Sequence, residues 1–474
     1  MPMDEPLPSL GSVDWYDWAT EIHGDVDDGF ARVPMVDPDP PVEGDLRWNP
    51  DLDPPATGTA SDVYAASKAQ LVAGTNVTVV PNDGLETITI NSSAPGATGS
   101  DPHTWLVATE SPYNLSTGGT AAANTTALQA CINAAIGAGV NVFIPKGEYW
   151  VNDSCLTPTL GSSAVGLEIC GEGKYRSVLR LANAGSTSYY YNNVSNGYTS
   201  MFMTFKDLAF HGDTSGGADH IVNANLNGFR LYGPIDQNIR FVRCRFQSLN
   251  GVFFAAGTNN ASEIGFTDCK IAHIHDYVVK LENNQALNIN FMNTDIEIIW
   301  GDVIQSNGTG GGAINFTMGS IIIQSHDDGA SVYQGCLVKC NAAISSVVTF
   351  MGCRIELRSD TRLGVPGDVT LLDGTGGLVN LNFISSTTYI TPVSGAFETV
   401  RVGTDQIVCF DKCTFEHNGS YMTYDVQGTG WLVFDTCAVR TTLQSEITVG
   451  ASATAKAINC RGRYAQATAI DFSL

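Results

Sequence analysis

Two acidic residues two positions apart, Asp295 and Glu297, are the groups in this sequence best placed to do chemistry. Alternate residues of an extended strand point to the same face, which would set these carboxylates about 6.6 to 7 Å apart at the backbone. Such a separation leaves room for one water molecule between a general acid and a general base, as inverting glycoside hydrolysis requires. Glu356 holds the place of Glu297 in a later copy of the same pattern, so it is a third candidate catalytic residue.

Cationic and aromatic residues beside these carboxylates are candidate substrate-binding groups. Arg245, Lys270 and Arg354 are predicted to share one outward file with Asp295, and Lys270 would favour the ionised form of that carboxyl. Trp300 follows the same strand and would stack against a sugar ring if its own ring is exposed. The alternative stays open that these charges only pair with one another on neighbouring turns, as exposed strand residues often do.

Other reactive residues indicate no further chemistry. His273, His275, Asp276 and His326 are of the types used as acids, bases or metal ligands, yet each is equally well explained as a solvated loop residue. The sequence contains no nucleophile elbow, no H-E-x-x-H motif and no phosphate-binding loop. Its Cys-x3-Cys spacings at 336–340 and 409–413 do not match a zinc site. We therefore predict neither a metal nor a cofactor.

A repeat of fixed length must position these residues. From residue 205 onward, an aromatic residue is followed three positions later by a small residue or cysteine, and two positions after that by another apolar residue. The clearest copies start 25 residues apart, at Phe241, Phe266, Phe291 and Phe316. Intervals of 34 residues to Phe350 and a further 33 to residue 383 mark inserted loops. A period of this size indicates a solenoid or a propeller.

The spacing inside the repeat favours a solenoid. Two apolar residues three positions apart lie on opposite faces of a straight strand, so the chain must bend between them if both are buried. The bend falls on residues that tolerate left-handed backbone angles, namely Asp207, Asp268, Asn293, Gly352 and Asn459. Turns stacked about 4.8 Å apart then align the phenylalanines in one internal column and six cysteines in another. These cysteines, which we expect to be buried free thiols, are Cys244, Cys269, Cys353, Cys413, Cys437 and Cys460.

An alanine-rich amphipathic segment ahead of the repeat predicts a capped helix. It extends from Asn124 to Ile136, ends at Gly137 and Gly139, and is followed by a strand over 140–144 and a turn over 145–149. This order, with its Pro-x-Gly-x-Tyr turn, resembles the start of the pectate-lyase-like β-helix domains of bacteriophage tailspikes and of polysaccharide lyases and hydrolases. The resemblance covers about residues 104–465 and implies an all-β, right-handed parallel β-helix whose open end the helix covers. The aspartates that often precede this helix in the family are absent here.

The N-terminal residues 1–60 differ in composition from the rest of the chain. They hold 14 acidic and 2 basic residues, half of the net charge of −24, and 10 of the 19 prolines, so they cannot form a compact core alone. Trp15, Trp18 and Ile22 are spaced along one face of a short helix, which either packs on its own domain or docks into a partner. Residues 61–103 predict a small β segment and linker, and residues 466–474 a C-terminal tail.

The order of these parts resembles a bacteriophage minor tail protein or tailspike. This resemblance implies a homotrimer in the virion tail, attached to other tail proteins through residues 1–60 and directed at a host-surface polysaccharide. The net charge of −24 disfavours nucleic acid as a partner, and no apolar stretch is long enough for membrane insertion. Glycan recognition and glycan cleavage both remain open, as do a free polysaccharide lyase or hydrolase and a purely structural fibre.

Overall fold

The computed structural model describes most of the chain beyond residue 104. The described ranges are 105–158, 163–182, 185–194, 199–213, 225–232, 236–256, 262–282, 288–307, 312–327, 332–333, 335–340, 346–358, 370–373, 379–391, 397–417, 422–440, 446–458 and 460–462, with 47–48, 71–72, 77–82 and 87–92 ahead of them. The predicted docking helix with Trp15, Trp18 and Ile22, the predicted bend at Asn459 and the tail 466–474 lie outside these ranges. The chain divides into two compact units, residues 1–100 and 101–474, each described by itself.

In the first unit, the described residues form two antiparallel strand pairs. Val77–Asn82 pairs with Thr87–Ser92, close to the strands expected from the sequence. Arg47–Trp48 pairs with Leu71–Val72.

The second unit is a right-handed parallel β-helix, as the repeat predicts. Within its described residues, 13 parallel strands form one sheet, sheet A. The phenylalanines of the repeat pair in register and face inward, and the rings of Phe266, Phe291 and Phe316 stack with centroids 4.5 Å apart. The strands of sheet A are Trp105–Val107, Asn141–Ile144, Glu168–Gly171, Thr204–Lys206, Arg240–Val242, Ile264–Thr267, Ile289–Met292, Ala313–Thr317, Ser346–Met351, Val379–Ile384, Ile407–Asp411, Trp431–Asp435 and Thr454–Ile458.

In the turns that begin with the strands from Glu168–Gly171 to Trp431–Asp435, the chain bends after the strand of sheet A into a strand of sheet B and then into a strand of sheet C. Two long strands, Arg245–Ala256 and Lys270–Leu281, run through both of these sheets and join them. The other strands of sheet B are Gly147–Val151, Ser177–Leu181, Ala209–Gly212, Asp295–Ile299, Ser320–Gln324, Arg354–Arg358, Thr387–Thr391, Thr414–His417, Ala438–Arg440 and Arg461–Gly462. The other strands of sheet C are Ser188–Asn192, Leu226–Tyr232, Asp302–Ser306, Cys336–Cys340, Thr370–Asp373, Phe397–Val402, Met422–Val426 and Glu446–Val449.

Two smaller sheets belong to the connections between turns. Ser163–Val165, Thr199–Met201 and Asp236–Gln237 form a parallel sheet of three strands. His326–Asp327 pairs with Val332–Tyr333 in an antiparallel hairpin.

The bend between sheets A and B lies at the residues predicted from the sequence. Asp207, Asp268, Asn293 and Gly352 have φ values of 56°, 54°, 48° and 65°. The same left-handed angle occurs at Arg243, Met318, Ser385, Lys412 and Thr436, residue types that do not favour it. The stacking of the turns therefore imposes this bend, and a residue that tolerates it is helpful but not required.

The cysteine column lies at the first position after this bend. In all six cysteines the thiol lies 3.3 to 3.7 Å from the carbonyl oxygen of the phenylalanine one turn earlier. Thr294 and Ser386 occupy the same column and donate their hydroxyls to the equivalent carbonyls, at 3.4 and 3.1 Å. The 12 cysteines of the chain are free, and those of this column are buried except Cys460, which is half-buried.

Helix α1, Ala121–Ala138, packs against the first strands of sheets A and B. It begins three residues earlier than predicted, because Thr120 is the N-cap and accepts a hydrogen bond from the amide of Ala123 at 3.2 Å. Asn124, the expected start, is buried and binds the backbone of Ser116. It ends at Ala138, two residues later than predicted, because Gly137 lies inside it and Gly139 closes it with φ of 68°. In the described residues no helix is long and apolar enough to cross a membrane.

Candidate functional site

The outer face of sheet B carries the side chains predicted to contact a ligand. Two files run along this face, one residue from each turn. The first file is Arg245, Lys270, Asp295, Ser320 and Arg354. The second file is Gln247, Ala272, Glu297, Ile322 and Glu356. The candidate catalytic and cationic residues thus lie on one surface.

Asp295 and Glu297 each have a partner on this surface. Asp295 is exposed, and its Oδ1 accepts hydrogen bonds from the hydroxyl and the amide of Ser320 at 2.8 and 3.3 Å. Glu297 forms an ion pair with Lys270, with 2.9 Å between Oε2 and Nζ. The hydrogen bond to Glu297 is the main reason why the pKa of Lys270 is raised. Lys270 therefore neutralises Glu297, and not Asp295 as expected from the register.

Glu356 is held by two arginines. Its Oε1 accepts from Nε of Arg358 at 2.5 Å, and its Oε2 accepts from both Arg358 and Arg354 at 3.0 and 3.1 Å. The hydrogen bond to Glu356 raises the pKa of Arg358. Both carboxylate oxygens of Glu356 are therefore already bonded to guanidinium groups.

These partners decide what the three carboxylates can do chemically. Glycoside hydrolysis needs one carboxyl that carries a proton to the leaving group. Glu297 and Glu356 are each paired with a cation, and Asp295 already accepts two hydrogen bonds. A surface of this kind presents fixed charges and hydrogen-bonding groups, which suits binding better than acid catalysis.

Trp300 does not lie on this surface. Its ring was expected to stack against a sugar only if exposed, and it is buried. Its side chain is only 3% exposed and contacts the rings of His273 and His275 edge-on, with centroids 5.9 and 6.4 Å away. The strand register shifts between residues 296 and 299, where Ile298 has φ of 56°. This irregularity turns the chain toward sheet C before Trp300 and removes its ring from the outer face of sheet B.

Three aromatic rings that the sequence analysis missed do lie beside cations of sheet B. Tyr175 is 60% exposed, with the guanidinium carbon of Arg245 5.0 Å from its ring centroid. The ring of Tyr389 lies 4.9 Å from the guanidinium carbon of Arg354, and that of Trp150 lies 5.4 Å from that of Arg180. Tyr175 belongs to a turn outside the repeat. Its only signal in the sequence is an aromatic residue between two cations, Lys174-Tyr-Arg176, after a glycine.

Two buried carboxyls have raised pKa values but serve the fold. Burial raises the pKa of Asp302 to about 6, and its side chain, 6% exposed, accepts from the amide of Cys336 at 3.1 Å and lies 3.8 Å from Lys339. Burial likewise raises the pKa of Asp236 to about 7, and this carboxyl accepts from the amide of Tyr232 and from the side chain of Asn193. Both lie away from the two files of sheet B. Among the described residues, no group of three or more histidines, cysteines and acidic residues is arranged to hold a metal.

Comparison with known proteins finds distant structural similarity. No family model and no curated protein sequence matches the chain. The catalytic unit of a thermostable GH87 α-1,3-glucanase from Streptomyces thermodiastaticus aligns over 79% of this chain and 72% of its own, with 14% identity and a TM-score of 0.42. ORF18 of Geobacillus virus E2 aligns over 82% and 68%, with 14% identity and a TM-score of 0.38.

A third similar structure is the A-module of the mannuronan C-5 epimerase AlgE6 from Azotobacter vinelandii. It aligns over 75% of this chain and 98% of its own, with 14% identity and a TM-score of 0.31. At this level of similarity neither substrate nor activity transfers to this chain. Its function must be inferred from its own side chains.

Proposed function

We propose that this chain is a bacteriophage tail protein that binds a host-surface polysaccharide along the outer face of sheet B. The observation that carries the proposal is the pairing of aromatic rings with cations on this face, at Arg180, Arg245 and Arg354. Flat rings stack on sugars and guanidinium groups donate several hydrogen bonds in one plane, so the combination suits an extended glycan. The three pairs lie on separate turns along the length of sheet B, which suits an extended polymer.

Binding is favoured over cleavage. The three candidate catalytic carboxylates already accept hydrogen bonds from neighbouring side chains, and two of them are paired with cations. Exposed Asp295 then acts by accepting hydrogen bonds from sugar hydroxyls, whereas Glu297 and Glu356 orient Lys270 and Arg354. The alternative, a polysaccharide hydrolase or lyase, keeps the same surface and differs only in the fate of the bound chain.

Attachment to the virion is assigned to residues 1–60 on the basis of their composition. Their acidic, proline-rich sequence with Trp15, Trp18 and Ile22 on one predicted helix face suits docking on other tail proteins. A chain that lacks residues 1–60 should remain folded over the β-helix and fail to incorporate into particles. Normal incorporation of the truncated chain would contradict the virion assignment.

We also propose that the β-helix assembles as a homotrimer through the part of the outer face of sheet A between Ile289 and Asp435. Six large apolar side chains are exposed on this face or at its bend, although the chain is otherwise acidic. They are Met292, Met318, Val347, Met351, Ile407 and Trp431. Exposed apolar patches of this kind favour a protein partner, and a second copy of the chain presents the same patch. Sheet B then remains free for the glycan.

A binding assay with purified protein tests the glycan proposal. Fluorescently labelled capsular polysaccharides and lipopolysaccharide O-chains from a panel of bacteria are titrated with the intact chain. Replacing Arg354 by alanine should weaken the affinity for any bound polysaccharide by roughly tenfold, the value of one charge-assisted hydrogen bond. Arg240→Ala removes an exposed arginine from sheet A and should leave the affinity unchanged. A folded protein that binds no polysaccharide of the panel would contradict the proposal.

A further inference from the structure

Arg245 differs from the other cations on the outer face of sheet B. Arg180, Lys270 and Arg354 each form an ion pair with a carboxylate, at 2.7, 2.9 and 3.1 Å. Arg245 has no carboxylate partner among the described residues, and its Nε is buried without a hydrogen bond. The chain has 48 acidic and 24 basic residues, so a half-buried arginine without an acidic partner is unexpected. Because a charge in such a place is costly when unpaired, an anion from outside the chain would stabilise it.

Two neighbours of Arg245 also have a buried polar atom without a hydrogen-bond partner. Gln247 lies two residues further along the strand on the same face, and His211 pairs with Gln247 in register on the preceding turn. Oε1 of Gln247 and Nε2 of His211 are buried without a hydrogen-bond partner. Burial, together with the smaller effect of the charges of Arg245 and Arg180, lowers the pKa of His211 to about 3. His211 is therefore neutral near pH 7, and the positive charge here belongs to the arginines.

Tyr175 provides a flat surface directly beside this charge. Its ring contacts the guanidinium of Arg245 and is still 60% exposed. The loop that carries it is fixed to the bend at Asp268, three turns further along, because Nζ of Lys174 donates to the carbonyl oxygen of Asp268 at 2.9 Å. An exposed ring held over an unpaired guanidinium offers both stacking and charge to a single sugar unit.

We infer that Tyr175 and Arg245 form a subsite for a sugar that carries a carboxylate, such as a uronate of an acidic polysaccharide. The sugar ring packs against the exposed part of the Tyr175 ring beside Arg245, and its carboxylate pairs with the guanidinium of Arg245. Lys270, on the next turn of the same file, is already paired with Glu297, so Arg245 supplies the positive charge of the subsite. This inference rests on the proposed function, since it names the class of glycan that sheet B binds.

Saturation-transfer NMR on the intact chain tests the subsite with defined sugars. The probes are glucuronate and galacturonate, each compared with its neutral counterpart, glucose or galactose. The acidic sugars should give signals at least about fivefold stronger than the neutral ones, because only they can pair with Arg245. Arg245→Gln should abolish this preference. Tyr175→Ala should weaken the signal of both kinds of sugar, whereas Tyr175→Phe, which keeps the ring, should retain it.

Arg240→Gln is the matched control. Arg240 is exposed on sheet A of the same turn as Arg245, so its replacement removes the same charge from a different face. Equal signals from acidic and neutral sugars would overturn the acidic subsite, and so would a preference for acidic sugars that persists in Arg245→Gln. Neither result would contradict the binding of polysaccharide to sheet B. If no sugar gives a signal and no polysaccharide of the panel binds, both the subsite and the proposed function are overturned. Circular dichroism of each variant establishes that it is folded.

Discussion

Lys270 forms its ion pair with Glu297, 2.9 Å from Nζ to Oε2, although Asp295 is the residue that pairs with it in register. Both side chains are 30% exposed, so the pair contributes less than about 1 kcal/mol to stability. Its larger effect is on the charge of the surface, because Glu297 neutralises a cation that lies one turn from Arg245.

Replacing Glu297 by glutamine should therefore strengthen the binding of an acidic polysaccharide. Loss of the carboxylate frees Lys270 for a ligand anion, and we expect roughly three- to tenfold higher affinity at low salt. Titration of labelled polysaccharide measures the change. Glu168→Gln, which breaks a similar pair with Lys206 on sheet A, should have no effect. Weaker binding by Glu297→Gln would show that the carboxylate itself contacts the glycan.

The cysteine column should tolerate serine. Cys269 donates to the carbonyl oxygen of Phe241, and Thr294 and Ser386 already make the equivalent bond from other turns. Cys269→Ser should change the stability by less than about 1 kcal/mol, whereas Cys269→Val, which lacks the donor, should lose about 1 to 2 kcal/mol. Thermal unfolding compares the two variants. Equal losses, or a wild-type protein destabilised by reducing agent, would contradict a column of free, hydrogen-bonded thiols.

The buried carboxyl of Asp236 should make the β-helix less stable as the pH rises. Its pKa is about 7 in the folded chain against 3.8 for the unperturbed group, so the folded state holds the proton more tightly. The stabilisation is complete below pH 3.8 and is lost as the pH rises through 7, by up to about 4 kcal/mol. Asp236→Asn, which cannot ionise, should gain stability relative to the wild type between pH 5 and pH 8.

His211 should show the opposite pH dependence of stability and therefore serves as a control. Its folded pKa of about 3 is below the unperturbed 6.5, so its contribution is present above pH 6.5 and lost as the pH falls toward 3. His211→Gln should gain stability relative to the wild type below pH 6.5 only. A difference between Asp236→Asn and the wild type that is constant with pH would contradict the raised pKa of Asp236.

The apolar part of the outer face of sheet A should hold the proposed trimer together. Ile407 and Trp431 pair in register on neighbouring turns and are 42% and 50% exposed. We expect light scattering to give three times the chain mass of 50.4 kDa for the wild type and one chain mass for Ile407→Ser with Trp431→Ser. Phe202→Ser changes an equally exposed ring outside sheet A and should leave the trimer intact. A monomeric wild type would contradict the assembly.

The turns of the β-helix could be predicted because the repeat is a direct consequence of stacking. Phe266, Phe291 and Phe316 occupy identical places on successive turns, so their spacing of 25 residues reveals both the turn length and the inward face. The outward files follow from the same register. This is why the structure brings Arg245, Lys270 and Asp295 onto one face as predicted.

Side chains outside the repeat could not be placed in this way. Trp300 follows an irregular turn at Ile298, whose left-handed angle no sequence pattern signals, and Tyr175 lies in a loop that occurs once. The predicted partner of Lys270 was also wrong, because the strand register determines which backbone residues are neighbours and not which side chains pair. A lysine side chain is long enough to reach a carboxylate two residues away on the next strand.

Glycan binding without cleavage is tested most directly by the length of the bound polysaccharide. The purified intact protein is incubated with a polysaccharide that it binds, and chain length is followed by size-exclusion chromatography together with ultraviolet absorbance of unsaturated ends. Unchanged chain length with retained binding is the expected result. Shortened chains would contradict it and establish a depolymerase, a lyase if absorbance rises and a hydrolase if it does not.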